Sequence, residues 1–212
     1  LLPLIFSLSV LSSDIEEIIV KGEYRERSLG EEDSSIVVIQ SEQIKSQAIK
    51  HFQQLSHLVP NLNYAASDSR ARYFQIRGIG ERSGYQGTPN SSVGFLIDDI
   101  DYSGQGGIAT LFDVDQVEVF RGPQGSRSGA NALAGLIYIK TKDPTEKFEG
   151  TSELTLGDYG TQNIGIAFGG PMQNKKLKYR LVLRTDYADG FRKNTYCLLY
   201  TSDAADDWRS GG

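Results

Sequence analysis

Val117-Glu118-Val119-Phe120-Arg121-Gly122-Pro123-Gln124-Gly125, continued by Leu136-Ile137-Tyr138-Ile139-Lys140-Thr141, is the stretch on which the fold turns. Residues 117–120 alternate apolar and charged side chains, the two-residue period of a strand with one buried face. Gly122 and Pro123 end that strand, because proline has no N–H to give to a ladder. Residues 125–134 are small and polar, so the backbone can turn tightly there and other chain can approach closely. A second strand is predicted over 136–141. The two strands enclose a glycine-rich loop carrying Arg121 and Arg127.

Around this unit the chain runs to 212 residues, enough for one or two domains. Hydrophobic residues make up 39% and charged residues 23%, a globular balance that argues against wholesale disorder. A net charge of −5 disfavours a nucleic-acid partner. The single cysteine excludes an internal disulfide and a multi-cysteine metal site. No run of about 18 apolar residues exists, so no transmembrane helix is encoded; a transmembrane barrel leaves a weaker trace and stays open.

Two further motifs precede the central stretch: Phe74-Gln75-Ile76-Arg77-Gly78-Ile79-Gly80 and Val93-Gly94-Phe95-Leu96-Ile97-Asp98-Asp99-Ile100. Together with VEVFRGPQG…GANALAGLIYIKTKDPT, and in this order, they resemble the plug domain of TonB-dependent outer-membrane receptors. The resemblance covers roughly residues 15–194. It implies an α+β plug, a small mixed sheet with short helices, followed by the first strands of a truncated transmembrane antiparallel β-barrel. Five segments are expected: 1–13 a signal-peptide remnant, 14–33 a TonB box and flexible linker, 34–145 the plug, 146–194 the start of the barrel, and 195–212 a non-native tail.

The residues support these segments in different ways. Residues 1–13 are apolar with small residues, as in the h-region and cleavage end of a secretory signal; a short buried helix or strand is the alternative. Ile15, Glu16, Glu17, Ile18, Ile19 and Val20 form a short β-prone run, and residues 21–33 are mostly charged and glycine-punctuated, too poor in apolar residues to pack. A β segment on a flexible tether suits strand addition to a partner's sheet edge; an edge strand is the alternative. The resemblance makes it the TonB box, engaged from the periplasm by TonB with the ExbB/ExbD inner-membrane complex. Strand 36–39 follows, then a helix capped by Ser41 and running to about Ala48, then a second helix through Phe52, Leu55, Leu58 and Val59, ended by Pro60. His51 and His57 are six apart and are read as solvated or capping groups, not metal ligands. Residues 61–72 read as a loop, and Ile108, Leu111 and Phe112 as one helical turn.

Candidate ligand contacts are Arg82, Tyr85 and Gln86 in the glycine- and serine-rich loop 81–92, which the resemblance turns toward the outside. A solvated linker is the alternative. Arg77 and Arg121 each sit where a strand meets glycine; the resemblance buries the matching arginines between plug and barrel against glutamates of the wall. Asp98, Asp99 and Asp101 lie close together, but their spacing is not that of a calcium loop, and no metal or other cofactor is expected. From residue 148 the pattern changes. Ile164, Ile166 and Phe168 alternate with Gly165, Ala167 and Gly169, and Leu177, Tyr179, Leu181 and Leu183 alternate with Lys178, Arg180 and Arg184. That suits strands with one lipid face and one lumen face; a half-buried soluble sheet alternates in the same way.

A nucleotide-binding enzyme is the competing class. Gly78-Ile79-Gly80-Glu81-Arg82-Ser83 lacks the third glycine of the dinucleotide fingerprint, no helical pattern opens after it, and no nucleophile–base set is found. What the resemblance implies is a non-enzymatic receptor that takes up a scarce extracellular nutrient across the outer membrane, foremost an iron–siderophore complex as the commonest cargo of the family, with haem, cobalamin or oligosaccharide as other cargoes. Outer-membrane lipid is its surroundings.

Overall fold

The computed structural model describes residues 18–22, 27–31, 34–66, 71–83, 90–105, 110–125, 129, 131–172, 176–189, 192–193 and 200–201. The signal-like segment, Ile15, Glu16, Glu17, Tyr85, Gln86, Ile108, Arg127 and most of the tail lie outside them.

In chain order the described elements are β1 (Ile19–Val20), β2 (Arg27–Ser28), a 3-10 turn (Leu29–Glu31), β3 (Ile36–Gln40), α1 (Ser41–Ser46), α2 (Phe52–Leu55), β4 (Leu62–Ala66), β5 (Ala71–Ile76), β6 (Val93–Ile97), β7 (Ile100–Asp101), β8 (Val114–Phe120), β9 (Gly135–Thr141), β10 (Glu149–Leu156), β11 (Gln162–Pro171), β12 (Lys178–Tyr187), β13 (Arg192–Lys193) and β14 (Tyr200–Thr201). The central sheet runs β3-β8-β9-β6-β7. It is mixed: β6 and β9 are parallel, and its other pairings are antiparallel. β1–β2 and β4–β5 are two-stranded, and β10-β11-β12 is a separate antiparallel sheet. This is the small mixed sheet with short helices, followed by two-faced strands, that the sequence implies. The three strands do not close into a barrel.

The core lies on both faces of the central sheet. One face carries Val117, Val119, Ile137, Ile139, Val93 and Phe95 and is covered by α1, α2 and the β4–β5 hairpin. At its centre Phe52 stands edge-on to Phe74 and Phe95, with ring centroids 5.0 and 5.2 Å away, while Phe74 and Phe95 stack. The other face carries Phe120, Leu136, Tyr138 and Leu96 and is covered by Val20 and Ala132.

Several expectations change here. Residues 117–120 were expected to have one buried face, yet Glu118 is 0% exposed, because residues 18–22 fold over it. Part of the charged linker is ordered: β2 pairs with β1, and Leu29 N–H donates to the Ile18 carbonyl at 2.8 Å. Residues 61–72 are not all loop. β4 pairs with β5 through its backbone although only Leu62 of β4 is buried, so its sequence carries no alternation to betray it. Ser41 opens α1 rather than capping it; Gln40 is the N-cap residue. α2 stops at Leu55, with Leu58 and Val59 packed from the turn that follows. No helical turn forms at 110–113. Thr110 bridges to His51, Leu111 N–H donates to the Lys50 carbonyl at 3.1 Å, and Asp113 adopts a left-handed φ of 62°.

Candidate functional site

Two places stand out: the N-terminal strand with the sheet face beneath it, and the junction between the central sheet and β10–β12.

At the first, β8 places Gln116, Glu118 and Phe120 in one row under residues 18–22. Glu118 Oε1 accepts the Lys21 N–H at 2.7 Å, and Oε2 accepts the Gly22 N–H at 2.8 Å. Gln116 Nε2 donates to the Ile19 carbonyl at 3.0 Å and also to Glu118. Lys21 Nζ reaches Asp115 at 2.8 Å. A carboxylate withdrawn from water needs such donors, since hydrogen bonds to the charged form offset its desolvation. Gly22 fits because nothing larger would: a Cβ there would lie 2.4 Å from Glu118 Oε2 and 2.7 Å from the Phe120 ring. Of the expected TonB-binding residues, Ile18, Ile19 and Val20 are thus laid along the sheet. Val20 is fully buried and Ile19 is exposed.

At the second, the tight turn before β8 projects Phe112 and Asp113 onto the inward face of β11–β12. Asp113 makes a bidentate ion pair with Arg180, with Arg180 Nε 2.5 Å from Oδ2 and the second nitrogen on Oδ1. The two side chains are 4% and 10% exposed. The paired geometry matches a planar guanidinium to a carboxylate, which makes it the stronger kind of ion pair. The Phe112 ring lies against Gly165, where a Cβ would come within 2.8 Å, and the Arg184 guanidinium carbon is 5.5 Å from the ring centroid. Beside this grip a cavity of about 410 Å³ is lined by Ile44 and Leu111 on one side and by Thr151, Glu153 and Thr155 of β10 on the other. Sequence reasoning missed Phe112 and Asp113. The one available signal was the row of small residues in β11, which foretold a close neighbour on that face.

The arginines expected at the plug–barrel boundary meet no acidic side chain of β10–β12 among the described residues. Arg77 is exposed at a φ of 54°, its N–H bonded to the Asn61 carbonyl at 2.9 Å. Arg121 is half-buried; its N–H donates to the Ser35 carbonyl at 2.8 Å, and its buried Nε has no hydrogen-bond partner among the described residues. Arg82 is exposed, next to Glu81, whose Oε1 accepts the Ser92 N–H at 2.9 Å and holds the two ends of loop 81–92 together.

The acidic residues after β6 build a turn. Asp98 accepts the Thr141 N–H at 3.1 Å and faces Lys140 at 3.3 Å; Asp101 accepts from Ser103 and Asn131. Burial opposes the Lys140 charge, but its bond to Asp143 and the charge of Asp98 outweigh that and raise its pKa to about 12. Among the described residues no cluster of three or more His, Cys, Asp or Glu could hold a metal ion. His51 is the N-cap of α2, where Gln54 Oε1 accepts its N–H at 3.2 Å.

Residues 28–136, just over half of the chain, match the family model described as the TonB-dependent receptor plug domain. The pesticin receptor of Yersinia pestis is 26% identical over 192 residues, 90% of this chain and 28% of the relative. The ferripyoverdine receptor of Pseudomonas aeruginosa is 24% identical over 143 residues, 67% of this chain and 17% of the relative. The crystal structure of the ferric yersiniabactin uptake receptor FyuA from Yersinia pestis aligns with a TM-score of 0.65 at 26% identity, covering 74% of this chain and 24% of that one. The ferripyoverdine receptor of the Pseudomonas aeruginosa outer membrane, bound to ferripyoverdine, shares the fold with a TM-score of 0.67 at 20% identity over 80% of this chain and 22% of that one. The chain therefore spans little more than a quarter of the pesticin receptor it matches.

Proposed function

The chain belongs to the TonB-dependent receptor plug-domain family, and we propose from this premise that it is the plug and opening barrel wall of an outer-membrane receptor that imports an iron–siderophore complex by energised transport. The observation that carries the reading is the buried grip of Phe112 and Asp113 on Gly165, Arg184 and Arg180. It seats a globular unit against strands whose other face is apolar and bare, as a lipid-facing wall requires. Open strand edges cannot be satisfied in lipid, so β10–β12 need the remaining strands of a closed barrel before they can span a membrane.

In this reading the ligand binds outside, with Arg82, Tyr85 and Gln86 contributing from loop 81–92. TonB, powered through ExbB and ExbD, takes residues 15–20 by strand addition. Arg77 and Arg121 meet glutamates of the wall, and the buried Nε of Arg121, which has no partner among the described residues, supports the need for an acceptor. The choice of cargo is supported by the relatives named for ferripyoverdine and ferric yersiniabactin.

The test is uptake of radioactive iron as ferric siderophores by cells that express the full-length gene and lack other siderophore receptors, with labelled cobalamin as the competing cargo. Iron should accumulate only when TonB is present. Ile18→Pro should leave ligand binding intact and stop uptake, because proline cannot join a ladder. Undiminished uptake by that variant would remove the TonB-box assignment; accumulation of cobalamin alone would replace the cargo.

A further inference from the structure

The N-terminal strand is held by side chains that occupy the positions of a neighbouring strand. β1 bonds to β2 along one edge. Along the other, the Ile19 carbonyl and the Lys21 N–H point the same way, as groups two residues apart on a strand do. A partner strand would bond to this pair. Here Gln116 Nε2 donates to the Ile19 carbonyl at 3.0 Å and Glu118 Oε1 accepts the Lys21 N–H at 2.7 Å; Glu118 Oε2 continues to the Gly22 N–H at 2.8 Å. Gln116 and Glu118 are themselves joined by a hydrogen bond and stand two residues apart on β8, so their spacing repeats that of the groups they meet. Val20 packs into the apolar patch beside them, and Gly22 closes over Glu118 and Phe120 without room for a methyl group.

We infer that Gln116 and Glu118 form a side-chain surrogate strand that parks residues 19–22 on the plug, and that an extended partner segment can pair with this edge of β1 only after both bonds are given up. The surrogate makes occupancy of the edge exclusive: the Ile19 carbonyl, inside residues 15–20, serves either the plug or the incoming strand, and the Lys21 N–H directly after the segment extends the same edge. Glu118 is also the group that suffers most when the segment leaves, since a fully buried carboxylate then loses two donors and its cover together. Departure of the segment is thus coupled to hydration of this face of β8. The inference rests on the assignment of residues 15–20 as the segment that TonB takes.

The experiment uses the full-length receptor in detergent, without siderophore, and the purified periplasmic domain of TonB as probe. Gly22→Ala disturbs the parking site from the side of the segment and leaves the edge groups intact. Glu118→Gln keeps the shape of the side chain and removes its charge. Both should speed amide exchange at Lys21 and Gly22 by about tenfold or more, and both should raise the affinity for the TonB domain several-fold, with Gly22→Ala the cleaner of the two. Unchanged exchange in both variants would overturn the surrogate strand, whatever TonB does. Faster exchange without a gain in TonB affinity would overturn the exclusivity. A gain that persists when Ile18→Pro is added would place TonB elsewhere on the receptor and remove the assignment on which the inference stands, a pattern distinct from either of the other two.

Discussion

The central sheet and the β10–β12 sheet are both built from alternating strands, yet β8 and β9 are buried on both faces while β10–β12 keep one face bare. Val117, Val119, Leu136 and Ile137 are all fully buried, and so is Glu118 between them. On β10, Leu156 is 71% exposed, and Leu154, Ile164, Ile166, Leu181 and Leu183 share its outward face. Alternation places side chains on two faces but does not say what covers each face. In the central sheet a segment from about a hundred residues earlier folds over the charged position and supplies its hydrogen-bond donors. In β10–β12 the polar row meets the plug and the apolar row is left exposed among the described residues, which is the arrangement expected where lipid is the missing layer.

The sharpest way to break this contrast is to remove volume from the doubly covered sheet. Phe52→Ala leaves a hole where three rings meet, and should cost about 3–5 kcal/mol, read as a lower denaturant midpoint for the plug amides in the full receptor. Asp113→Ala should cost a similar amount, roughly 3–5 kcal/mol, because Arg180 is then left buried and charged. Replacing Arg180 with Leu in the same protein should recover most of that loss. Failure of the second change to restore the midpoint would mean that the ion pair is not what holds the plug to the wall. On the bare face, Leu183→Arg should weaken assembly into lipid vesicles by about 2–4 kcal/mol if it lies at the bilayer midplane, whereas Thr151→Lys, toward the cavity, should be nearly silent. Equal effects at the two sites would show β10–β12 to be an ordinary half-buried sheet.

Much of the fold was legible. The three motifs marked β5, β6 and β8–β9, and the period of two marked β10–β12, because in each the backbone signal and the glycine punctuation agree. What escaped had a common cause. Glu118 looked like a solvent-side residue since nothing nearby in sequence tells that residues 18–22 return to it. β4 escaped because an edge strand with one buried residue has no alternation. Phe112 and Asp113 escaped because Ile108, Leu111 and Phe112 carry helical spacing, and an aspartate, although it enters the left-handed region more readily than most residues, does not by itself mark a turn there. Of the expected site residues, Ile18 to Val20 take up a defined seat, and against β10–β12 the contact is made by Asp113 and Phe112, which no pattern in the sequence singled out for it.

The smallest of these changes tests the junction most directly. Gly165 faces Arg184 across the β11–β12 ladder, so its missing side chain opens a notch next to the guanidinium. Phe112 fills that notch from the plug, with the cation at its ring face, a contact that strengthens where water is excluded. A methyl group at 165 would need the ring to retreat from 2.8 Å to ordinary contact. Phe112 is anchored by Leu111 in the core and by the Asp113–Arg180 pair on the wall, so retreat strains both. Gly165→Ala should therefore cost about 1–3 kcal/mol, the usual range for overfilling a packed site. The plug amides around residues 111–114 should exchange faster, and those of the phenylalanine cluster should stay unchanged. Combining it with Phe112→Ala should remove most of the penalty, since the cavity made by one change receives the methyl group of the other. If the two costs simply add, ring and glycine are not in contact in the receptor, and the wall and the plug meet through the ion pair alone.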